Sequence, residues 1–446
     1  MKILLSGWVM LLWCQLASGA DIRAGVAKIS ITPSLPAWLN GYASREQPAN
    51  GVLTDIWAKA LALEDAPGSR VVIVTVDLLG LSHDVVTEVA RQVDSLYGIK
   101  RSQLLLNSSH THSAPVVWPC LDVIYNLGVE DQARVSMYVQ ELTGKLVKVI
   151  GMAMGNLAPA RLYTGHGAAD FAINRRNTIY PNGPVDHDVP VLKVVSAEDK
   201  PLAILFGYAC HNTTLVDDNL LVNGDYAGFA QIELEKAYPG AQAMFLMGCA
   251  GDQNPSPRGT VALAMQHGKS LADAVVKVLT GNGMHDVRGP IRTAYTKTEL
   301  PFPAFDPAQY RKEIVSNDKF LQRRARLMLD LYNRGMVPDH RDYPVQAVRF
   351  NNDLCILGLS DEVVVDYSLR AKREFAGENV YVAGYSGEVM CYIPSERVLK
   401  EGGYEGGENM IYYGWPGPFA AGVEERVFSA IYSVMKEAGS KAAKRK

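Results

Sequence analysis

Residues 104–115 read LLLNSSHTHSAP. The three leucines predict a short buried strand, and Pro115 forces the chain to leave it. If the extended conformation continues, residues two apart point to the same face, so the imidazoles of His110 and His112 would converge. Neutral imidazole is a favoured zinc ligand. The pattern therefore indicates a metal site at a strand end, with two solvated loop histidines as the alternative.

The residues before this stretch predict a strand–helix–strand unit. Residues 71–76 form a β-branched run typical of a buried strand, which ends at Asp77. Ser82 is the expected N-cap of the following helix and Gly98 its expected end. The buried face of this helix is predicted to carry Val85, Val86, Val89, Val93 and Leu96. The unit places the histidine pair at the C-terminal edge of a sheet, where open α/β sheets bind ligands.

The remaining pattern predicts an α/β fold of the mixed α+β type, with layered sheets flanked by helices. A later strand ends at His211 and repeats the apolar-strand-then-histidine pattern. Gly402–Gly407 is expected to be a flexible loop, and His340 to lie in a loop. The predicted strands are 24–32, 57–63, 190–195, 202–208, 243–247, 348–359 and 381–385. The predicted helices are 130–154, 225–237 and 261–279, a charged helix with a solvated basic face from Asp306, and a final helix around 423–434.

The N-terminus predicts export. Lys2, the apolar run 3–16 and Ser18-Gly19-Ala20 form a signal-peptide pattern, cleaved near Ala20. The mature protein is expected to be secreted or periplasmic, with no transmembrane segment and with residues 21–446 as a single domain. The 446-residue chain has a formal net charge of −3 and is 48% apolar. Its only basic run is the tail 441–446, so no nucleic-acid partner is expected.

The cysteines exclude a disulfide scaffold. Five would remain after cleavage, an odd number at wide spacings. Cys210 and Cys249 lie in apolar runs, where a buried free thiol is expected.

Several segments together resemble the catalytic domain of the neutral, non-lysosomal ceramidases. They are His110-Thr111-His112-Ser113 with Pro115, His211, Asn223-Gly224-Asp225, Gly251-Asp252 with Pro255, Glu362 where it is expected to open a helix after a strand, and the pair Tyr392 and Tyr404. Their order and approximate spacing match across nearly the whole mature chain. Each of these motifs alone is weak evidence for the resemblance, but the whole set is specific to the family.

The resemblance implies a Zn²⁺-dependent amidase. By that resemblance His110, His211, Glu362 and Tyr392 are the metal ligands. His112, Arg175 and Tyr404 fall where the family contacts the scissile group. Asp252 is either a partner that orients a histidine or a plain turn acid. Taken without the resemblance, Arg175 and Arg176 are either a surface pair or include one cation that reaches a site.

The sequence departs from the family pattern in three places. Asn254 occupies the position of a serine that the family is proposed to use at the scissile bond, and Ser256 lies two residues further on. Residues 412–417, YYGWPG, offer polar aromatics where a lipid enzyme would need an aliphatic channel. The family's immunoglobulin-like C-terminal domain is not expected in this shorter, divergent member.

These features favour a secreted zinc hydrolase that cleaves an N-acyl amide bond with metal-activated water. Its substrate is expected to be a small or lipid-like molecule other than ceramide, and the oligomeric state is not predicted. Arg175 and Tyr404 would stabilise the oxyanion, and His112 would carry a proton to the leaving amine.

Four alternatives remain. A zinc hydrolase acting on a sugar derivative and a non-catalytic binding protein are the first two. A TIM-barrel amidohydrolase would need further histidines at strand ends, where only His211 fits because His267 is predicted inside a helix. A serine hydrolase would need a Gly-x-Ser-x-Gly turn, which is absent from the sequence.

Overall fold

The structure is a computed structural model that describes residues 22–121 and 123–442. The expected signal peptide and the end of the basic tail lie outside these residues. Within them, no helix has the length and apolar character needed to cross a membrane.

The strands within the described residues include every segment predicted as a strand, although some boundaries differ. They are β1 (Ile22–Ser30), β2 (Gly51–Val52), β3 (Trp57–Asp65), β4 (Arg70–Val76), β5 (Leu104–Ser108), β6 (Ala158–Ala168), β7 (Ala172–Asn174), β8 (Asp188–Ser196), β9 (Pro201–Tyr208), β10 (Leu221–Val222), β11 (Gln242–Met247), β12 (Gln253–Pro255), β13 (His285–Val287), β14 (Ile291–Pro301), β15 (His340–Phe350), β16 (Leu354–Leu359), β17 (Glu362–Val363), β18 (Val380–Ala383) and β19 (Tyr392–Ile393).

The helices follow the predicted pattern in most places. They are α1 (His83–Tyr97), α2 (Val129–Gly155), α3 (Asp225–Ala237), α4 (Val261–Thr280), α5 (Pro307–Glu313), α6 (Lys319–Asn333), α7 (Asp366–Glu374), α8 (Glu396–Glu401), α9 (Met410–Tyr413) and α10 (Val423–Glu437). Short helical turns also cover Arg101–Gln103 and Tyr404–Glu408.

Two sheets pack face to face. The larger has the strand order β11-β9-β8-β6-β1-β3-β4-β5, with β13 paired to β6, and the smaller has the order β14-β15-β16-β18. Alternate residues of each strand point to opposite faces. Ile73 and Leu105 therefore lie in the core between the sheets, together with Ile356 of the smaller sheet. Their neighbours Val74 and Leu106 lie on the opposite face.

Helices cover both outer faces, so the layers run helix, sheet, sheet, helix. The first layer packs against the larger sheet through α1 and α2 at one end and through α3 and α4 at the other. The last layer includes α10, whose Val427 and Ile431 pack against Leu357 of β16. This arrangement confirms the predicted fold class.

The predicted caps of α1 are present. The Ser82 hydroxyl accepts a hydrogen bond from the backbone N–H of Val85, and Gly98 ends the helix with φ 69°. The predicted buried face was wrong at its end, because Leu96 is 61% exposed. The other four predicted residues are buried.

Three further predictions were wrong. Residues 348–359 belong to two strands, β15 and β16, because a turn begins at Asn351, a residue type that tolerates its φ of 46°. His340 begins β15 instead of lying in a loop. The helix from Asp306 is two helices, and the basic face is not all solvated, since Arg324 is buried beside Glu313.

Candidate metal centre

The ends of two strands of the larger sheet meet a separate two-stranded sheet at one edge of the fold. His110 follows β5 and His211 follows β9, and a bridge between Thr111 and Asn212 ties the two loops together. The separate sheet consists of β17 and β19, which pair in parallel with Glu362 opposite Tyr392. Glu362 was expected to open a helix, but it lies in this short strand, and α7 begins four residues later. Residues far apart in sequence are thus brought to one place.

Four buried donor atoms converge there. Oε2 of Glu362 lies 3.1 Å from Nε2 of His110 and 3.2 Å from Nε2 of His211. The Tyr392 hydroxyl lies 3.2 Å from the same His211 nitrogen. All four side chains are at most 3% exposed.

Backbone carbonyls fix the protonation of both histidines. Nδ1 of His110 donates to the carbonyl of Leu79, and Nδ1 of His211 donates to that of Ala250, each at 2.7 Å. A carbonyl only accepts, so Nδ1 of each ring carries a proton and Nε2 is the nitrogen left to bind a cation. Both rings are therefore ready to bind a cation.

The predicted convergence of His110 and His112 occurs by a different route. Their Nε2 atoms lie 3.2 Å apart. The strand, however, ends at Ser108, and His110 adopts φ 62°. The left-handed residue turns the chain, so the extended conformation assumed in the prediction was wrong.

His112 widens the set of possible ligands. Among the described residues, the one group of three or more His, Cys, Asp or Glu able to hold a metal comprises His110, His112 and His211, with ligand atoms within 4.8 Å of one another. Burial, followed by the charges of the other two histidines, holds the pKa of His112 well below its usual value. The ring of His112 is therefore neutral at neutral pH.

Two tyrosines that sequence reasoning missed hold Glu362. Tyr413 donates to its Oε1, and Tyr385 donates to Oε2 at 3.4 Å. Burial raises the pKa of Glu362, but the neighbouring His110 and His211 outweigh this effect and keep it well below the usual value. Tyr413 lies in the YYGW segment that had been noted only for its polarity.

Arg175 reaches the centre, and Arg176 lies behind it. Nη2 of Arg175 donates to the Tyr392 hydroxyl at 3.1 Å, while its Nε donates to Glu405 at 2.6 Å. Arg176 contacts the other oxygen of Glu405 at 2.7 Å. The surface-pair alternative was therefore wrong. The expected flexible loop also contains this buried Glu405, within the helical turn Tyr404–Glu408.

The last three predicted site residues differ in their roles. Tyr404 is exposed, and its ring contacts Tyr392 at a centroid distance of 5.3 Å. Asn254 accepts from Nη1 of Arg175 at 3.4 Å. The carboxylate of Asp252 accepts from Asn174 and from the backbone of Val365, while carbonyl groups orient the histidines. Asp252 thus braces the surrounding loops.

The fold and site together define an α/β protein with a buried histidine–carboxylate–phenol centre suited to a transition metal. The fold is similar to the crystal structure of neutral ceramidase from Pseudomonas aeruginosa, with a TM-score of 0.70 and 21% identity over 87% of this chain and 71% of that chain. It is also similar to a ceramidase complexed with C2, with a TM-score of 0.74 and 20% identity over 96% and 75% of the two chains.

Sequence comparison gives the family. Residues 23–293 match the family described as neutral/alkaline non-lysosomal ceramidase, N-terminal. This chain belongs to that family.

Curated relatives match over part of their length. Neutral ceramidase of Drosophila melanogaster is 26% identical over 64% of this chain and 43% of that protein. That of Drosophila pseudoobscura pseudoobscura is 28% identical over 50% and 33%. The Pseudomonas aeruginosa enzyme is 27% identical over 54% and 38%. The matches thus cover between a third and less than half of each of these relatives.

Proposed function

We propose that this protein is a Zn²⁺-dependent hydrolase that cleaves the amide bond of an N-acyl compound other than ceramide. The observation that carries the proposal is the convergence of His110, His211, Glu362 and Tyr392, whose contacts measure 3.1–3.2 Å. Donors bound to zinc at ~2.0–2.1 Å in a tetrahedron lie roughly 3.3 Å apart, so the donor spacing fits this ion.

Two nitrogens, a carboxylate and a phenol also suit zinc chemically. Zinc held by these residues would polarise the substrate carbonyl and lower the pKa of bound water toward ~7. Asn254 in place of a serine supports a mechanism without a serine nucleophile.

The protein's own residues bind and orient the reacting group. Arg175 is fixed by Glu405, and with Tyr404 it presents donors for negative charge that develops on the carbonyl oxygen. His112, neutral and 3.2 Å from His110, would accept a proton from the attacking water and deliver it to the leaving nitrogen. The Glu362 carboxylate lies beside both His110 and His211 and can share a metal ion with them. We therefore assign His112 the proton-transfer role and not that of a ligand.

The test is hydrolysis of a panel of N-acyl amides by the wild type and by His110→Ala. We expect activity in the wild type that is abolished by chelation, restored by zinc and lost in the variant. Activity that survives in His110→Ala would overturn the assignment. A sugar-derivative panel run in parallel tests the alternative substrate class.

We also propose that the protein is exported, on the basis of the signal-peptide pattern in residues 1–20. N-terminal sequencing of the mature protein should give a start close to Asp21. A mature protein that keeps Met1 would contradict export by cleavage.

A further inference from the structure

Arg45 differs from the other buried arginines of the described chain. Four of the five pair with a carboxylate at 2.6–2.8 Å, namely Arg176, Arg324, Arg341 and Arg349. Arg45 is 7% exposed and has no carboxylate within 4 Å among the described residues. Its Nη1 donates to the carbonyls of Asn40 and His112, while Nε and Nη2 have no protein partner. Burying an unpaired charge is costly, which points to a functional reason.

A second unpaired cation lies beside it, across Tyr42. The guanidinium of Arg45 lies 4.8 Å from the centre of the Tyr42 ring, and Arg258 donates to the hydroxyl of Tyr42 at 3.2 Å. Arg258 is exposed and has no ion pair within the described residues. Burial raises the pKa of Tyr42 to about 12, so this tyrosine stays neutral and balances neither arginine. We call Arg45, Tyr42 and Arg258 the cationic face.

The cationic face adjoins His112. The rings of Tyr42 and His112 lie 4.7 Å apart, and the close approach of Gly41 to the His112 ring leaves no room for a side chain at that position. The acidic residues near Arg45 are exposed and lie beyond ion-pair distance from its guanidinium. Of these, Asp217 hydrogen-bonds to Ser44. The charge of Arg175, by contrast, is balanced by Glu405. The buried carboxylate of Asp225 also acts on Tyr42, but it accepts backbone hydrogen bonds from Thr214 and Leu215 and lies beyond ion-pair distance of both arginines. Arg45 and Arg258 therefore leave an excess of positive charge on the His112 side.

We propose that the cationic face binds a carboxylate on the amine portion of the substrate, so that the preferred substrates are N-acyl amino acids. The inference rests on the proposed function, in which His112 delivers a proton to the leaving nitrogen. An α-carboxylate lies close to that nitrogen and would therefore face Tyr42. Arg258, at the surface, contacts the carboxylate, and Arg45 contributes buried positive potential from behind Tyr42.

The test uses two compounds that share the scissile bond, N-octanoylglycine and its neutral analogue N-octanoylglycinamide. With the zinc-loaded protein, kcat/KM should be at least about fivefold higher for the acid, and added salt should reduce this preference. In Arg258→Gln the preference should fall toward one, while Arg258→Lys should keep most of it. Arg292→Gln removes an exposed arginine of β14 and serves as the control.

Binding of both compounds by calorimetry separates this inference from the proposed function. Tighter binding of the acid, lost in Arg258→Gln, supports the cationic face even if neither compound is hydrolysed, a result that would count against the proposed function alone. Equal binding and equal turnover of the two compounds would overturn the inference. A preference for the acid that Arg258→Gln leaves intact would overturn it as well. Arg258 is exposed, so its variants should fold even if Arg45→Gln does not.

Discussion

The hydroxyl of Tyr413 donates a hydrogen bond to Oε1 of Glu362, the oxygen that does not face His110 and His211. The bond fixes the carboxylate so that Oε2 points at the two histidines. Partners of this kind typically contribute about 10–100-fold to metal affinity. We therefore expect Tyr413→Phe to lower zinc affinity by about that factor, measured by competition with a chelator.

Tyr412→Phe is the matched control for Tyr413→Phe. Tyr412 is the adjacent residue, and its ring contacts Phe320 and Tyr404 instead of Glu362. Its removal should leave zinc affinity unchanged. Equal affinity in Tyr413→Phe and the wild type would show that this hydrogen bond does not hold the ligand.

Glu405 positions Arg175 without touching the four proposed ligands. Glu405→Gln should free the guanidinium and lower kcat by roughly 10–100-fold, because small misplacements of a catalytic group are costly. Zinc content should stay at the wild-type level, since Glu405 is not among the ligands. Steady-state kinetics and metal analysis on the same preparation check both statements.

Glu401→Gln is the control for Glu405→Gln. Glu401 contacts Arg176 at 3.1 Å, with no contact to Arg175. If Glu401→Gln and Glu405→Gln reduce kcat equally, general disruption of the ion-pair network explains the loss, and positioning of Arg175 does not.

The Asn254→Ala variant tests whether the residue at the position of the family's serine takes part in the reaction. Asn254 contacts Arg175 and Thr213 only through long hydrogen bonds of 3.4 Å. Asn254→Ala should lower kcat by less than about tenfold, the usual range for one hydrogen bond. A loss of a thousandfold or more in the same assay would assign Asn254 a direct role at the scissile bond.

The metal-free protein should lose stability in acid. Burial, followed by the charge of Arg175, lowers the pKa of His211 from 6.5 to about 4. As pH falls below 6.5, the unfolded chain binds a proton at His211 before the folded protein does. The free energy of unfolding therefore decreases across this window, by up to about 3 kcal/mol from this group.

Urea unfolding of the chelated protein at pH 7 and pH 5 measures this effect. His211→Gln should show a smaller decrease than the wild type, whereas His285→Gln, which removes an exposed histidine, should match it. If the wild type and His211→Gln lose the same stability, the decrease has another source.

Sequence periodicity predicted the strands that position His110 and His211, because buried strands of an α/β fold are continuous apolar runs. It predicted neither the left-handed turn at His110 nor the partners of the ligands. Tyr385, Glu405 and Tyr413 act through contacts with residues 23 or more positions away along the chain. Only the packing of distant segments in the folded chain brings such residues together, so local pattern carries no signal for them.

The family resemblance predicted site residues that sequence periodicity could not. It grouped Glu362 and Tyr392 with the histidines, although neither residue stands out in its own segment. It gave no indication of Arg45, whose unpaired state is visible only once the carboxylate partners of the other buried arginines are known. Whether a buried charge has an ion-pair partner depends on which residues lie near it in the folded chain.

The zinc content of the purified protein tests the central claim most directly, namely that His110, His211, Glu362 and Tyr392 share one ion. Elemental analysis should find one zinc per wild-type chain and a large loss in His211→Ala and Glu362→Gln, with His112→Ala retaining the metal. A wild-type protein that neither contains nor takes up zinc would contradict the account, as would full zinc content in Glu362→Gln.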